Sequence, residues 1–495
     1  MERAAPIYRD RVLLKPEEVL ARLDGCGQLV HLERLPARPA VYGSLSRRLP
    51  AAAQSCMPEG GLWAHQAAAI DLARSRRSVA VATGTASGKS LCYQLPIVEA
   101  ALERPAGTAL LVYPTKALAQ DQLRSIEKLA TAVPGLVPAT YDGDTPTARR
   151  AWVRRSATAV LTNPDMLHVG ILPRHEAWRG FLGRLRYVVV DELHTLRGIF
   201  GTHVAHLLRR LRRLCARYGS SPTFVFGSAT IGRPGELAAL LCGMTVEEVT
   251  DDGSPRGERV LALWNPPLTD EVAGTRASSI NETAALLTGF VQAGYRAIAF
   301  SRSRKGSELV AAATRRQLPG DLARRVRPYR GGYLASERRE IEAQLFGGEL
   351  VGVAATNALE LGIDVGGLDA CVLNGFPGTI ASFWQQAGRA GRARQRSAAV
   401  LVAGEDQLDQ WLMAHPRELL IRPPEPAVIN PSNPFVLDPP LACAAYEQPL
   451  SSADEAYWGD DLEDAVRRLV RADRLVVRNG WAVWAGRGTP AGAVG

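Results

Sequence analysis

A glycine-rich segment that ends in lysine and serine lies between a predicted strand and a predicted helix. The segment is Thr83-Gly-Thr-Ala-Ser-Gly-Lys-Ser90, and it follows the apolar run 78–82. Backbone N–H groups of such a turn and the N-terminus of the following helix cradle phosphate oxygens. Lys89 is expected to reach the β- and γ-phosphates of ATP and Ser90 to hold Mg²⁺. The alternative is a chance Gly-Lys-Ser turn, since the strict pattern has glycine where this chain has Thr83.

An acidic pair, Asp191-Glu192, ends the apolar run 187–190 about 100 residues after this loop. Asp191 is expected to coordinate Mg²⁺ through its water shell. Glu192 is expected to orient and deprotonate the water that attacks the terminal phosphate. The alternative is a solvated turn, which the preceding phosphate loop at this separation disfavours. These two features together predict ATP hydrolysis.

Further residues near these motifs are candidates for contact with the nucleotide. Gln66, in Trp63-Ala-His-Gln66, lies about 20 residues before the loop and could read the adenine edge, while Thr85 and Gly88 belong to the loop itself. The segment Gly227-Ser-Ala-Thr230 follows the run 223–226, and its small hydroxyl residues could relay the state of the nucleotide. Each of these signals depends on its position, because the residue types alone are nonspecific.

A second cluster, Gln385-Gln-Ala-Gly-Arg-Ala-Gly-Arg392, lies far along the chain. Arg389 and Arg392 are three residues apart, so both could point to one face of a helix and stabilise the transferring phosphoryl group. Gln385 is a candidate nucleotide contact. The alternative is a basic surface helix, which Gly388 and Gly391 disfavour because glycine is a poor residue for a solvated helix.

Polar residues that follow the predicted strands form a candidate nucleic-acid track. Open α/β sheets bind ligands at the carboxyl ends of their strands. Hydroxyl, cationic and backbone N–H groups there suit phosphates without reading bases. Each residue alone is typical of ordinary loop polarity. The candidates are Thr115, Lys116, Gly143, Thr162 and Asn163 in the first half, and Ser301, Arg302, Arg330 and Thr356 in the second, with Asp364 expected on the nucleotide side.

Continuous apolar runs alternate with helical patterns twice along the chain. Runs such as 108–113 and 398–402 fit strands buried on both faces, as in a parallel sheet. The predicted fold is therefore α/β, with two tandem RecA-like parallel-sheet lobes separated by the turn-rich segment 251–255. The predicted domains are an N-terminal accessory segment (1–55), lobe one with the ATP site (56–252), lobe two (253–422) and a proline-rich linker with a C-terminal region (423–495).

The C-terminal region combines a helical pattern with a hairpin signal. Leu462, Ala465 and Leu469 share one helical face, and two apolar runs then flank Asn479-Gly480. Asn-Gly tolerates the positive φ angles of a type I′ turn. This order resembles the end of a winged helix, and any small α+β appendage is the alternative.

The composition indicates a protein that binds a polyanion. The chain of 495 residues carries a net charge of +9, and only five of its 59 basic residues are lysines, which makes Lys89 and Lys116 notable. An arginine-rich composition is typical of a GC-rich bacterial genome. The scattered cysteines give no CxxC pair, and the sequence has neither an apolar run of membrane-spanning length nor the apolar core of a signal peptide. A cytoplasmic, nucleoid-associated protein without a membrane partner is expected.

The motif order over roughly 60–395 resembles that of superfamily 2 helicases. Three stretches are similar to bacterial mitomycin-repair helicases of the MrfA type: 83–90, 191–204 and Tyr329-Arg-Gly-Gly-Tyr-Leu-Ala-Ser-Glu-Arg-Arg-Glu340. The resemblance implies ATP-driven 3′→5′ movement on single-stranded DNA, tailed duplex substrates, and a role in DNA repair beside other repair proteins. It implies lobes that close on ATP.

The chain departs from that family at two points. Leu193 replaces a smaller residue, which is expected to be harmless. The family's C-terminal module with four metal-binding cysteines has no counterpart here, so a truncated or shortened member is expected. Three hypotheses about the function follow: a helicase, a translocase or remodeller that does not separate strands, and a nucleic-acid binder that does not hydrolyse ATP. An RNA substrate stays open, because phosphate contacts do not distinguish the sugar.

Overall fold

The computed structural model describes residues 14–359, 367–391 and 396–493. Its strands are, in chain order, β1 (Leu29–Leu35), β2 (Tyr42–Gly43), β3 (Leu62–Trp63), β4 (Val79–Ala82), β5 (Thr108–Val112), β6 (Pro138–Thr140), β7 (Ala159–Thr162), β8 (Leu185–Val190), β9 (Thr223–Ser228), β10 (Glu247–Val249), β11 (Arg259–Trp264), β12 (Leu268–Asp270), β13 (Thr275–Arg276), β14 (Ala297–Ser301), β15 (Val326–Tyr329), β16 (Gly352–Ala355), β17 (Ala370–Asn374), β18 (Ser397–Val402), β19 (Leu475–Arg478) and β20 (Trp481–Trp484).

The α-helices are α1 (Pro16–Leu23), α2 (Ala51–Gln54), α3 (Ala64–Arg74), α4 (Ser90–Ala101), α5 (Lys116–Ala130), α6 (Thr147–Ser156), α7 (Pro164–Met166), α8 (Arg179–Leu182), α9 (Gly198–Arg217), α10 (Pro234–Cys242), α11 (Ser279–Gln292), α12 (Arg304–Gln317), α13 (Gly320–Ala323), α14 (Ala335–Phe346), α15 (Ile380–Ala387), α16 (Gln407–Ala414), α17 (Glu418–Ile421), α18 (Pro434–Glu447), α19 (Glu455–Trp458) and α20 (Asp461–Arg471). Single turns of tighter or wider helix lie at Leu167–Ile171, Leu172–Trp178, Leu193–Thr195, Asn357–Leu359, Ser452–Asp454 and Pro490–Ala493.

Sheet one contains seven parallel strands in the order β10-β4-β9-β8-β5-β7-β6. Every residue of β4, β5 and β7 is buried, because helices cover both faces of the sheet. The predicted strands of the first half are therefore found where continuous apolar runs occur. Their carboxyl ends lie along one edge, which carries the phosphate loop and the acidic pair.

Sheet two also contains seven strands, in the order β1-β11-β18-β17-β14-β16-β15. All its neighbours are parallel except β1, which pairs antiparallel with β11. Residues 29–35 lie in the predicted N-terminal accessory segment, and they form an edge strand of this sheet. Apolar clusters pack on both faces of sheet two as well. The α/β prediction with two parallel sheets is thus confirmed.

The C-terminal residues form three helices, α18 to α20, and the hairpin β19–β20. Asn479 and Gly480 connect its strands with φ angles of +52° and +79°, as a type I′ turn requires. Leu462, Ala465 and Leu469 of α20 pack into a small core with α18. The predicted helix face and hairpin are both present.

By residue contacts, the chain divides into two compact units. One unit comprises residues up to 41, 84–87 and 254–425, and the other comprises 42–83, 88–253 and 426–495. Within the second unit, α18 packs on α9 of lobe one. None of the helices in the described ranges is long and apolar enough to cross a membrane.

Candidate active site

The phosphate loop connects the end of β4 to the start of α4. Lys89 lies at the helix entrance, and its ammonium group donates a hydrogen bond to the carbonyl oxygen of Thr83 at 3.0 Å. Burial lowers the pKa of Lys89, while the carboxylates of Glu192 and Asp191 act in the opposite direction. The loop thus holds the Lys89 ammonium group where burial disfavours its charge. A bound phosphate would offset that cost, because its negative charge stabilises the ammonium group.

Gly88 packs closely against two residues that precede the loop in sequence. Its φ angle is +64°, and a Cβ atom there would lie 2.7 Å from Nε2 of Gln66 and 3.0 Å from the Trp63 ring. The Gln66 amide donates to the Gly88 carbonyl oxygen at 3.0 Å and accepts from the Trp63 N–H at 2.9 Å. The structure therefore brings Gln66, Trp63 and the loop together, and glycine is required at position 88.

Asp191 and Glu192 directly follow β8, which lies two strands from β4 in sheet one. The Asp191 carboxylate accepts from the Glu192 N–H at 2.9 Å, and its second oxygen lies 3.2 Å from the Tyr93 hydroxyl. Burial, followed by the Glu192 carboxylate, raises the pKa of Asp191 to about 6. Glu192 has a φ angle of +56°, a conformation that costs free energy for a non-glycine residue.

Three residues around the acidic pair had no assigned role from sequence. Tyr93 is one helical turn from Ser90 on α4 and reaches Asp191. His194 lies 3.5 Å from both the Glu192 carboxylate and the Ser228 hydroxyl. A Cβ atom on Gly227 would lie 2.4 Å from Asp191, so glycine makes room for that carboxylate. The spacing of His194 within Asp-Glu-Leu-His was a usable signal, whereas the Tyr93 contact needs the fold.

The oxygen donors of this site fit a magnesium ion. Ser90 begins α4 and offers a hydroxyl group, and Asp191 offers a half-buried carboxylate. Hydroxyl, carboxylate and water oxygens are the ligands that Mg²⁺ prefers. A cation would also offset the burial and repulsion that raise the pKa of Asp191. Ser90 and Asp191 are therefore the residues that would hold the ion.

In lobe two, Gln385 is buried on α15, and this helix ends at Ala387. Arg389 thus lies in the turn after the helix, because Gly388 ends the helix and Gly391 has a φ angle of +82°. Thr85 and Gly388 belong to the same compact unit, and the Thr85 hydroxyl donates to the Gly388 carbonyl oxygen at 3.0 Å. Arg392 and Asp364 lie outside the described residues.

The predicted nucleic-acid residues of lobe one gather at the carboxyl edge of sheet one. Lys116 pairs with Asp144 at 2.9 Å, and its ammonium group lies 3.2 Å from the position of a Cβ atom on Gly143. Thr115 and Asn163 cap the N-termini of α5 and α7. The Thr162 hydroxyl donates to the Tyr141 carbonyl oxygen at 2.7 Å. Lys116 and Gly143 are therefore the exposed pair, while the three polar side chains also serve local structure.

The corresponding residues of lobe two are held by carboxylates. Arg302 donates to Asp406 and Asp409, each at 2.7 Å, and Arg330 donates to Glu308 at 2.8 Å. Ser301 and Thr356 are buried at the ends of β14 and β16. Contact between Arg302 or Arg330 and a phosphate would require exchange of these ion pairs, as contact with Lys116 would require exchange of its pair with Asp144.

Three segments of the chain, which include the residues of this site, match known protein families. A DEAD/DEAH box helicase family matches residues 63–237, and a helicase conserved C-terminal domain matches 280–394. The winged helix domain of the ATP-dependent helicase HRQ1 matches 429–494. These matches confirm the two RecA-like lobes and the winged-helix interpretation of the C-terminal region.

Similar proteins align along nearly the whole chain. An ATP-dependent helicase of Bacillus subtilis called YprA, described as uncharacterized, is 39% identical over 480 residues. The ATP-dependent helicase HRQ1 of Saccharomyces cerevisiae is 41% identical over 448 residues. A crystal structure of the DUF1998 helicase MrfA bound to DNA superposes with a TM-score of 0.91 at 38% identity, and covers 96% of this chain and 68% of its own. The chain belongs to the MrfA-like family of superfamily 2 helicases.

The relatives of this family are longer than the chain. The aligned region covers 96% of this chain but 64% of the Bacillus protein, and 87% of this chain but 41% of the yeast protein. The predicted resemblance to this family is thus confirmed, and the shared region includes both lobes and the winged helix.

Proposed function

We propose that the chain is an ATP-driven motor that moves 3′→5′ along single-stranded DNA and separates tailed duplexes during DNA repair. The observation that carries the proposal is the half-buried group of Lys89, Asp191 and Glu192 at one edge of sheet one. The names of its relatives support ATP dependence, and a DNA-bound relative supports the nucleic-acid class.

In this mechanism the chain's own groups bind the nucleotide and prepare the water. Lys89 and the backbone of 84–90 would hold the phosphates of ATP, with Gln66 at the adenine. Mg²⁺, held by Ser90 and Asp191, would supply charge neutralisation on the phosphate oxygens. Glu192 would accept the proton of the attacking water, and His194, 3.5 Å away, would orient that carboxylate.

Arg389 and Arg392 of lobe two would complete the ATP site with positive charge. Nucleic acid would contact Lys116 and Gly143 in lobe one, and Ser301 and Thr356 in lobe two. A ligand that binds both lobes favours their closed arrangement by its differential affinity. ATP and single-stranded DNA would therefore bind cooperatively, and DNA would stimulate hydrolysis.

The test is ATP turnover of the full chain with and without single-stranded DNA, beside the variants Lys89→Ala and Arg392→Ala. DNA should raise the wild-type rate, and Lys89→Ala should abolish it. Arg392→Ala should lose most of the stimulated rate, since arginine fingers contribute about 10³–10⁵-fold in other enzymes, and should keep much of the ATP affinity. No turnover by the wild type under any condition would leave a binder without catalysis.

Unwinding assays then distinguish the remaining hypotheses about the function. DNA and RNA duplexes with 3′ or 5′ single-stranded tails should be compared under the same ATP and magnesium conditions. Strand separation confined to 3′-tailed DNA agrees with the proposal. Turnover without separation of any duplex would point to a translocase or remodeller, and preference for the RNA duplex would point to an RNA helicase.

A further inference from the structure

Helix α6 concentrates positive charge beside the candidate nucleic-acid edge of lobe one. Within ten residues, Thr147–Ser156, it carries four arginines and one tryptophan. It follows the loop 141–146 directly, and that loop contains Gly143 and the Asp144 partner of Lys116. The helix and the loop belong to the same compact unit.

Two of the four arginines fix the helix to this loop. Arg150 donates to the carbonyl oxygens of Thr145 at 3.0 Å and Asp142 at 3.2 Å, and its guanidinium group lies 5.6 Å from the centre of the Tyr141 ring. Arg154 lies 3.5 Å from the Tyr141 hydroxyl. These contacts give Arg150 and Arg154 a structural role. They also fix the orientation of α6, and therefore the position of its opposite face.

The other two arginines and the tryptophan form an exposed surface, which we call the outer α6 face: Arg149, Trp152 and Arg155. Trp152 is 39% exposed, and the Arg149 guanidinium group lies 5.6 Å from its ring centre. Within the described residues, no carboxylate forms an ion pair with Arg149 or Arg155. Lys116, Arg302 and Arg330 differ in this respect, because each is already paired with a carboxylate.

We propose that the outer α6 face binds a single-stranded nucleic acid, with a base stacked on Trp152 and phosphates on Arg149 and Arg155. An exposed aromatic ring flanked by unpaired guanidinium groups offers both interactions that single strands use. From Arg149 to Arg155 the helix rises about 9 Å, more than two nucleotide steps at the ~3.4 Å rise of a stacked strand. The site rests on the proposed function, since it extends the path that begins at Lys116 and Gly143.

A single strand fits this surface better than a duplex. Stacking on Trp152 needs the face of an unpaired base, which a duplex conceals between its neighbours. The outer α6 face therefore adds contacts to a strand that the edge of sheet one already holds, and its contribution should grow with strand length.

The experiment measures binding of the full chain to fluorescein-labelled oligothymidylates of about 8 and about 24 nucleotides by anisotropy. The variants are Trp152→Ala, Trp152→Phe and the pair Arg149→Gln with Arg155→Gln. A control pair with the same charge change, Arg47→Gln with Arg104→Gln, alters residues that line hollows beside Glu99 and Glu103, far along α4 from the phosphate loop. Melting curves verify that each variant is folded.

Trp152→Ala should weaken binding of the long oligonucleotide about 5-fold or more, leave its salt dependence unchanged, and be rescued by Trp152→Phe. The Arg149/Arg155 pair should lower the slope of log affinity against log salt by about 1.4, as expected for two lost contacts to a single strand. The short oligonucleotide and the control pair should change little.

Three results would overturn the inference, and they are distinguishable. If the wild type binds no single strand, the proposed function fails and the outer α6 face fails with it. If the wild type binds and the outer-face variants match the control pair, the inference alone is wrong. An equal loss of affinity for a blunt duplex would also contradict it, because stacking of an unpaired base would then not be the interaction.

Discussion

The edge of sheet one and the inner face of α9 both bury charge, but they balance it differently. At the edge, burial lowers the pKa of Lys89 and raises that of Asp191. On α9, burial lowers the pKa of Arg210, but the Glu447 carboxylate outweighs this effect and the net shift is upward. Arg210 and Glu447 are each 1% exposed and are joined by two hydrogen bonds.

The difference distinguishes a ligand site from a structural joint. On α9, Arg213 likewise donates to Asp454 at 2.5 and 3.1 Å and to three carbonyl oxygens of the C-terminal region. These charges have complete sets of partners, so they need nothing from outside. At the edge, burial disfavours the charged forms of both groups, and strong perturbation of this kind marks sites that bind ligands or do chemistry.

The largest effect is expected from the edge. Glu192→Gln keeps the shape of the side chain and removes the base, so ATP should still bind while hydrolysis falls about 10²–10⁴-fold. Binding of a fluorescent ATP analogue and steady-state turnover with single-stranded DNA measure the two quantities. Glu127→Gln, on the exposed side of α5, is the control and should change neither. Normal turnover by Glu192→Gln would remove this residue from the mechanism.

Next in size is the joint between α9 and α18. Glu447→Gln leaves Arg210 buried with an incomplete set of partners, so the opening free energy of α18 should fall by about 3–5 kcal/mol. Hydrogen exchange of Pro434–Glu447 measures it, with sheet two as an internal reference. Glu463→Gln breaks an exposed pair with Arg467 on α20 and should cost within about 0.5 kcal/mol. Equal effects of the two variants would mean that burial does not decide the strength of these pairs.

The same joint should be sensitive to acid. His168 accepts from Arg210 at 2.8 Å and donates to the Ala491 carbonyl oxygen at 2.9 Å, so both ring nitrogens are used in the neutral form. Burial, followed by Arg210, lowers the pKa of His168 from 6.5 to about 4. Between pH 6.5 and 4, His168 therefore binds a proton in the unfolded chain but stays neutral in the folded chain. Stability should be complete above pH 6.5 and be lost as the pH falls towards 4.

Uptake of one proton limits this loss to about 1.4 kcal/mol per pH unit, and the partial exposure of His168 to solvent reduces it further. Denaturant unfolding at a series of pH values, followed by a probe in the winged helix, would measure it. His168→Gln should flatten the curve between pH 6.5 and 4, because the substituted side chain does not titrate. An unchanged slope in that variant would show that other groups control the acid response.

The smallest effect is expected at Lys116, whose ion pair with Asp144 is exposed. Lys116→Ala should weaken binding of single-stranded DNA several-fold, equally for all sequences, and lower the salt slope by about 0.7, as expected for one lost contact to a single strand. Anisotropy titrations at several salt concentrations measure both. Lys128→Ala, which removes a lysine from the last turn of α5, is the control. A strong dependence of the loss on base sequence would contradict a contact to the phosphate backbone.

Sequence patterns predicted the parts of the fold whose signals are local. β4 is apolar throughout, and β5 and β18 are apolar after their first residues, Thr108 and Ser397, because both faces of their sheets are covered. Asn479-Gly480 predicted its hairpin because few residues tolerate two successive positive φ angles. The phosphate loop was visible for the same reason, since its chemistry lies within eight consecutive residues.

Other features depend on pairing between distant residues. The antiparallel partner of β1 is distant in sequence: Leu35 pairs with Arg259, 224 residues further along the chain, and lobe one lies between them. The contact of Tyr93 with Asp191 joins residues 98 apart. The arginines of α9 gave no signal of burial, because their carboxylate partners are more than 230 residues further along the chain. Arg389 was placed on a helix because the helix end at Gly388 was not recognised.

The distance between α9 and its partners has a consequence for the order in which a newly made chain can fold. Residues 42–253 form sheet one and leave the ribosome long before Glu447 and Asp454. Until those carboxylates are synthesised, Arg210 and Arg213 have no counter-charge from the C-terminal region. The face of α9 must therefore stay hydrated during synthesis, and lobe one reaches its final packing only when the winged helix has been made. The last segment of this chain completes the first lobe.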